Sequence, residues 1–375
     1  MPSCTLVRRL LVASFFLLLP VHAALAQPPA TPTDAEVREW IGRLEQKKDQ
    51  PARLEALKWF QKHDAAKNAR LAIPILEQTI RDDPDSNVRQ QAILALFDVA
   101  RKQKLPCPLA LVQALFDQEG SVRQYAGLVT MQLTTFAPGT VELALRASGS
   151  ADANVRSDGL NLLALAAPRD QKALAVIEAA KNDRTFHVRH NSHCFKFRAT
   201  DRLDEYLAWL IRLQEDDSVL DPIPKDEKLR KEEEYSRSLA SLYSAQMILE
   251  WCEKRPDDLA AALVQLLDHK SPAMRHGAVR LIGVTAVKSD LSNAKVGKGY
   301  LSKVQSYLFP EPESEAPKPG SPPKPRLEKS KVAACLEKRQ VRERLEKLSA
   351  NDPDRQVQGA ARFALDRLAR LQVKP

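Results

Sequence analysis

Aromatic side chains and glycine are scarce in this sequence. Phe, Trp and Tyr make up 6% of its 375 residues and only 12 positions are glycine, which disfavours a β-sandwich or a β-barrel. Alanine and leucine are abundant, and both suit packed helices. Hydrophobic residues reach 44%, which excludes a wholly disordered chain. The composition therefore predicts helical domains.

The motifs of many enzyme and metal-site families are also missing. No CxxC pair occurs, which excludes zinc-ribbon and thioredoxin-like sites. No HExxH, GxGxxG or phosphate loop occurs either. Scattered Ser, His and Asp residues share no local context that predicts a catalytic set. We therefore expect a non-catalytic protein, with no catalytic residue and no cofactor.

Residues 1–26 have the pattern of a signal peptide. Arg8 and Arg9 precede an apolar stretch at 10–21, and Ala24-Leu25-Ala26 supplies small residues before a cleavage site at Gln27. A membrane span needs about 20 apolar residues, so this stretch is too short, and no later segment approaches that length without charges. We expect an exported protein, periplasmic or secreted, with a short disordered lead at 27–32. An uncleaved N-terminal anchor is the alternative.

Neither sign of charge dominates the chain. The formal net charge is +9, to which Arg8 and Arg9 of the leader contribute two. Acidic and basic residues are interspersed, and no signature of RNA or DNA binding accompanies the basic balance. We therefore predict no nucleic-acid partner.

Four cysteines follow the leader, at Cys107, Cys194, Cys252 and Cys335. Export permits disulfides, and four cysteines allow three pairings. Their wide spacing is more typical of small apolar residues in helix packing than of a stapled domain. If one bridge forms, the predicted pair is Cys194–Cys252, because the helices that carry them are expected to be neighbours.

One unit of about 33 residues recurs along the chain. Its clearest core is a Val-Arg dipeptide, and the steps between consecutive copies are 34, 33 and 33 residues: Val88-Arg89, Val122-Arg123, Val155-Arg156 and Val188-Arg189. Ala52-Arg53 is an earlier, degenerate copy, and Met274-Arg275 and Val357-Gln358 are later ones.

The positions around this core predict an amphipathic helix in each copy. Three residues before the apolar residue stands a residue that, in six of the seven copies, is a good N-cap residue, Glu119 being the exception: Asp49, Asp85, Glu119, Asp152, Thr185, Ser271 and Asp354. Four residues after it stands a small residue that lets another helix approach closely: Ala56, Ala92, Ala126, Gly159, Ser192, Ala278 and Ala361. Apolar residues recur seven and eight positions on, on the same helical face.

A second amphipathic pattern precedes each of these helices. It is visible at Leu71, Ile75, Leu76 and Ile80 and recurs in later copies. One unit is therefore helix, short turn, helix, and a single pair cannot bury both of its faces. The predicted fold is all-α, an α-solenoid of about eight stacked helical pairs.

The motif of an Asp, an apolar residue five positions later and then an Arg resembles the HEAT-repeat family of armadillo-type solenoids. It occurs as Asp83…Val88-Arg89, Asp117…Val122-Arg123 and Asp183…Val188-Arg189. The resemblance implies that these Asp and Arg side chains form a ladder of hydrogen bonds between successive repeats. We expect the ladder to weaken where Ser150 precedes Arg156, where Asp268 is one residue too far from Arg275, and where Gln358 replaces the last arginine.

The repeat pattern divides the chain into segments. We expect a HEAT-repeat solenoid at 33–287, with a charged insertion at 215–237 that is dense in both signs. Residues 288–330 form an irregular insertion, because seven prolines at 309–326 exclude a helix. A terminal helical pair at 331–375 is predicted to cap the array.

The copy at 183–198 departs most from the pattern, because it holds His187, His190, His193 and Cys194 within about two helical turns. His187, His190 and Cys194 can face one side of a helix, and imidazole and thiolate are good ligands for zinc or copper. A single straight helix rarely supplies three converging ligands. We therefore expect surface histidines beside a buried thiol, and a metal site is the alternative.

We predict a non-catalytic scaffold that binds an unidentified protein or peptide on its concave face. HEAT-like relatives include phycobilin lyase subunits and deoxyhypusine hydroxylases, but the His-Glu pairs that hold iron in the latter do not occur here. The alternative functions are a metal- or tetrapyrrole-handling protein that uses the cluster at 187–194, and a purely structural envelope component. Curvature and oligomeric state are not predicted.

Overall fold

The computed structural model describes residues 32–63, 69–215, 226–227, 230–231, 247–287 and 327–371. The predicted signal peptide at 1–26 lies outside the described residues, as does all but the last residue of the predicted lead at 27–32. Most of the insertion at 215–237 and residues 288–326 of the proline-rich insertion lie outside them too. The chain divides into two compact units, Met1–Asn182 and Asp183–Pro375.

The described part of the first unit consists of helices and connecting turns. Two short 3-10 turns, Ala114–Phe116 and Ala180–Asn182, supplement the α-helices. In chain order these are α1 (Asp34–Leu44), α2 (Gln50–Lys62), α3 (Ala69–Asp82), α4 (Ser86–Lys102), α5 (Leu109–Gln113), α6 (Gly120–Thr130), α7 (Thr140–Ser148), α8 (Ala153–Ala166) and α9 (Gln171–Ala179).

The second unit is built in the same way. Residues 247–254 are helical. The remaining helices are α10 (Phe186–Thr200), α11 (Leu203–Glu215), α12 (Pro256–Leu266), α13 (Pro272–Thr285), α14 (Lys331–Lys338), α15 (Val341–Asn351) and α16 (Arg355–Ala369). Among the described residues, extended pairing is limited to isolated bridges such as Val287–Lys329. The all-α fold class is therefore confirmed.

All six predicted N-cap residues are the N-cap residue of their helix, and Glu119 occupies the same position in α6. Four of them accept hydrogen bonds from backbone N–H groups of the first turn: Asp49, Asp85, Asp152 and Asp354. Glu119, Thr185 and Ser271 begin their helices without such a side-chain bond. The local sequence therefore marks where these helices begin.

The small residues predicted at the close approaches are all buried, from Ala56 in α2 to Ala361 in α16. Gly159 shows why size matters there. A Cβ at this position would lie 2.5 Å from the backbone N of Ser148 and 2.8 Å from the carbonyl O of Ala144. Because both are backbone atoms of α7, the α7–α8 packing requires a residue without a side chain at position 159.

Helices of the first unit pack in a regular order. Consecutive helices contact each other within pairs, such as α3 with α4 and α7 with α8. Each helix also packs against the next but one: α1 on α3, α3 on α5, α5 on α7 and α7 on α9, and likewise α2 on α4, α4 on α6 and α6 on α8. The core of this unit lies between these two sets of helices.

In the second unit, α13 packs against α12, α11 and α16, and α12 packs against α14. The described residues 331–371, at the place of the predicted terminal pair, contain three helices, α14, α15 and α16. Gln340 adopts a left-handed backbone conformation (φ 52°, ψ 36°), which ends one helix and separates α14 from α15. Among the described residues, no helix is long and apolar enough to cross a membrane.

Candidate functional site

The helix hairpin α10–α11 carries the histidine and cysteine cluster. Asp201 ends α10 in a left-handed conformation (φ 57°, ψ 22°), so the chain reverses within a few residues and α11 packs against α10. This reversal brings Tyr206 and Trp209 of α11 against the histidine-bearing face of α10. The site is therefore built from the two helices that flank a tight turn.

His190 is buried, with 8% of its surface exposed. Its Nδ1 accepts a hydrogen bond of 3.1 Å from the indole Nε1–H of Trp209, and its ring faces Phe186 at a centroid distance of 6.2 Å. The expectation that His190 is exposed is therefore wrong. The reason is that a tryptophan on the following helix covers this position.

Burial also changes the acid–base behaviour of His190. Removal of the ring from water, followed by the positive charge of nearby His187, lowers the pKa of His190 to about 4. The imidazole is therefore neutral at neutral pH. A neutral ring suits the bond with Trp209, because the indole N–H only donates.

His193 occupies the other side of the same indole. Its ring lies 4.0 Å from the Trp209 ring, centroid to centroid, with an interplanar angle of 5°. His193 is half-buried, whereas Trp209 is buried. The indole of Trp209 is thus hydrogen-bonded by one histidine of α10 and stacked on another.

Cys194 lies beside Tyr206, whose hydroxyl hydrogen-bonds the thiol. Burial raises the pKa of the Cys194 thiol, and burial likewise places the pKa of Tyr206 well above its ordinary value. A thiol that stays protonated is a poor nucleophile and a poor metal ligand. Cys194 and Cys252, the pair predicted if a disulfide forms, are not joined by a disulfide in the structure, and neither Cys107 nor Cys335 forms one.

The structure brings the candidate metal-ligating residues onto one helix without making them converge. His190 and His193 face Trp209, Cys194 faces Tyr206, and His187 is half-buried one turn before His190. Within the described ranges, no group of three or more His, Cys, Asp or Glu side chains is arranged to hold a metal ion. This geometry favours packing over ligation.

A second recurring arrangement is a set of arginine–aspartate ion pairs between helical pairs. The nitrogen–oxygen distances are 2.7–2.8 Å in four pairs: Arg53–Asp83, Arg89–Asp117, Arg123–Asp152 and Arg275–Asp352. The Asp117 hydrogen bond raises the pKa of Arg89, and the Asp352 bond raises the pKa of Arg275.

These arginines also bind the turn that precedes their own helix. Arg89 donates from Nη1 to the carbonyl oxygens five and six residues earlier, at 3.3 and 2.8 Å. Arg123, Arg156 and Arg275 repeat this pattern, and Arg189 donates to the carbonyl oxygen of Asp183. Each arginine therefore hydrogen-bonds the turn that precedes its own helix. In the four ion pairs, the arginine also binds a carboxylate of the following repeat.

The pairing differs from the expected ladder at several positions. Arg123 bonds the N-cap Asp152, because Ser150 stands where the other copies have an aspartate. Asp268 bonds Arg344 instead of Arg275, and His269 Nδ1 accepts the backbone N–H of Ser271 in its place. The carboxylate of Asp183 accepts the backbone N–H of Thr185.

Three residues of these ion pairs, Arg53, Asp152 and Asp352, were not assigned this role from the sequence. Arg53 belongs to the degenerate copy Ala52-Arg53, so its alignment with Arg89 was the available signal. Asp352 lies six residues before Gln358, which is the spacing of Asp83 from Arg89. The Gln358 side chain donates to the backbone carbonyl of Asp352 at 2.7 Å, so it replaces part of the arginine's role.

The first helical pair carries an aromatic stack that the sequence did not predict. The guanidinium carbon of Arg43 lies 4.1 Å from the Trp40 ring centre, Trp40 stacks on Trp59 at 5.3 Å, and Trp59 stacks on His63 at 4.8 Å. All four side chains are half-buried. The stack packs α1 against α2 and leaves part of each ring accessible.

Among known proteins, a weak structural similarity to this chain is found. No protein-family model matches the chain, and no curated protein matches it. Among solved structures, the chain is similar to the crystal structure of an engineered protein, with 15% identical residues, a TM-score of 0.33, and coverage of 89% of this chain and 98% of the engineered one. At that level, the similarity bears on neither fold nor function.

Proposed function

We propose that this protein is a HEAT-like α-solenoid of armadillo type that acts as a non-catalytic scaffold for a protein or peptide partner. The observation that carries this proposal is the order in which helices pack in the first unit. Odd-numbered helices pack on odd-numbered ones and even-numbered helices on even-numbered ones, each on the next along the chain. Sequential packing of this kind is typical of solenoids, in which each repeat meets its neighbours.

The arginine–aspartate pairs support the same proposal. Three of them join consecutive copies in the first unit, and Arg275–Asp352 repeats the arrangement in the second. An arginine–aspartate pair that recurs between successive copies is expected when equivalent helices occupy equivalent positions. It also accords with the resemblance to the HEAT-repeat family.

The even-numbered helices offer a surface for a partner. On α4 and α6, half-buried side chains follow the register of the repeat and combine amides with apolar groups. We call them the α4–α6 stripe: Gln90, Gln91, Leu94, Gln124, Tyr125 and Leu128. Leu94 and Leu128 occupy the same position of their copies. Aromatic and apolar side chains beside hydrogen-bonding groups are well suited to contacts with a protein or peptide.

The geometry of the α10 cluster favours a scaffold over metal or tetrapyrrole handling. His190 and His193 bind and stack on Trp209, and Cys194 is held beside Tyr206 with a raised thiol pKa. These contacts give the histidines and the cysteine a packing role within the α10–α11 hairpin.

Site-specific photocrosslinking in the native cell tests the proposal. A photoreactive residue is introduced at Leu94 or Leu128 of the α4–α6 stripe, one position per variant. Matched controls carry it at Gln78 of α3 or Glu142 of α7, which are positions on odd-numbered helices. We expect a discrete crosslinked protein from the two stripe positions and little or none from the controls.

Two crosslinking results would overturn the proposal. Equal labelling from all four positions would mean that the even-numbered helices are not the binding surface. Absence of any crosslinked protein from Leu94 and Leu128, with all variants present at wild-type abundance, would remove the scaffold role itself.

A further inference from the structure

The hydrogen bond between Trp209 and His190 restricts where His190 can take up a proton. The indole N–H of Trp209 points at Nδ1 of His190 over 3.1 Å, so Nδ1 contributes its lone pair and the ring proton resides on Nε2. An additional proton can bind only at Nδ1. Protonation would therefore leave two N–H donors, one from Trp209 and one from His190, facing each other, and this bond would break.

The charged groups around His190 do not compensate for a positive charge. On α10, His187 lowers the pKa of His190, and Arg189 lies over the Phe186 ring at 5.7 Å. On α11, Asp204 pairs with Arg202, and Glu205 pairs with Lys196 of α10. In the helical segment 247–254, Glu250 pairs with Lys254. Asp204, Glu205 and Glu250 thus already have cationic partners.

Three aromatic contacts depend on the position of Trp209 and its neighbours. Trp209 stacks on His193, while Phe197 of α10 stacks on Tyr206 of α11 at 5.3 Å. Trp251 of the helical segment 247–254 contacts Phe197 at 5.4 Å. Because Trp209 provides a buried hydrogen bond between α10 and α11, loss of that bond loosens the packing of the two helices near His190.

We propose that the Trp209–His190 contact is a pH-sensitive latch that holds α10 on α11 at neutral pH and opens when a proton from solvent binds Nδ1 of His190. The proton adds to the Nδ1 lone pair, the indole N–H loses its acceptor, and Trp209 leaves its buried position. The helices themselves persist, because the transition concerns the packing between them.

The direction of the pH dependence follows from the difference in proton affinity between the closed and open forms. The pKa of His190 in the closed hairpin is lowered to about 4, whereas a histidine in water has a pKa of about 6.5. The open form therefore binds the proton more readily than the closed form. Acidification from about pH 6.5 toward pH 4 shifts the equilibrium to the open form.

The direct test uses NMR of the indole groups in the intact protein labelled with ¹⁵N-tryptophan. The chain has 4 tryptophans, and Trp40 of the first unit serves as the internal reference. We expect the Trp209 indole N–H signal, assigned with Trp209→Phe, to shift or disappear between pH 6.5 and pH 4. The Trp40 signal and the far-UV circular dichroism should remain unchanged over that range.

Two variants separate the latch from simpler explanations. His190→Gln supplies an acceptor oxygen that does not titrate, so the Trp209 signal should become independent of pH. His193→Gln removes the stacked histidine, and the transition should remain, because His193 does not accept the Trp209 bond. A transition that coincides with loss of circular dichroism, or that persists in His190→Gln, would overturn the proposal. An unchanged Trp209 signal in the wild-type protein would overturn it as well, whether or not the variants fold.

Discussion

Single side chains decide how closely the helices approach one another. The recurring small residue differs between copies, and Gly159 is the smallest member of the series. Its neighbours on α7 are backbone atoms and the Cβ of Ala147, which lies 2.8 Å from the position of an added Cβ. Backbone atoms cannot rotate away as a flexible side chain can, so this contact tolerates no added volume.

Gly159→Ala should destabilise the protein although alanine is the better helix former. The gain in helix propensity is about 1 kcal/mol, but the clash with α7 costs about 1–3 kcal/mol. We expect a net decrease of up to about 2 kcal/mol in the free energy of unfolding, measured by urea denaturation. Gly42→Ala in α1 is the matched control, because an added Cβ there has no neighbour within 4 Å. It should be neutral or stabilising, and equal losses in both variants would contradict the packing argument.

At the level of one helix, the capping residues define where the recurring helices start. Asp354 accepts the backbone N–H groups of Gln356 and Val357 at 2.8 and 3.2 Å. Ser271 holds the same position in α13 without accepting a bond from the first turn. The same sequence position therefore contributes different amounts of stability in different copies.

Asp354→Ala should lower the free energy of unfolding by about 1 kcal/mol, because it leaves two N–H groups of α16 without their acceptor. Ser271→Ala, in the same unit, should change it by only a few tenths of a kcal/mol. Asp354→Asn retains an acceptor and removes the charge, so it should behave nearly as the wild type. Chemical denaturation of the three variants checks this order, and a large loss for Ser271→Ala would contradict it.

Across the molecule, the arginine–aspartate pairs connect segments that are distant in sequence. Arg275 of α13 and Asp352, before α16, are separated by 77 residues, a span that includes residues 288–326. Both side chains are almost fully buried, and the Arg275 bond lowers the pKa of Asp352. The pair therefore holds the two helices at a fixed register.

Asp352→Asn should lower the free energy of unfolding at pH 7 by about 3 kcal/mol, because Arg275 stays buried without a counter-charge. The folded-state pKa of Asp352 lies below the unfolded value of about 3.9, so its stabilisation is complete above about pH 4 and is lost as the pH falls further. The variant should therefore show a weaker pH dependence below about pH 4 than the wild type.

Asp268→Asn provides the control for that measurement. Asp268 pairs with Arg344 at the surface, where 72% of the Asp268 side chain is exposed. Solvent screens such a pair, so the expected change is less than about 1 kcal/mol. Urea denaturation from pH 3 to pH 7 measures both variants, and similar losses for the two would show that burial does not set the strength of these pairs.

The helical class, the starts of the recurring helices and the positions of their small buried residues could all be predicted from the amino-acid sequence. These properties depend on local interactions, namely capping within one turn and the spacing of apolar residues on one face. The register of Asp83 with Arg89 was also visible, because it repeats along the chain. Arg53 and Asp352 were missed because their copies are degenerate.

The contacts between side chains of different helices were decided only by the tertiary structure. His190 occupies a position that is half-buried in the copies that carry Gln90, Gln124 and His276, and Trp209, nineteen residues later, makes it buried and hydrogen-bonded. Arg123 pairs with Asp152, since a carboxylate two residues beyond the expected position lies within its reach. Burial, pKa and ion pairing depend on distances between helices, and a pattern of residues along one helix does not contain those distances.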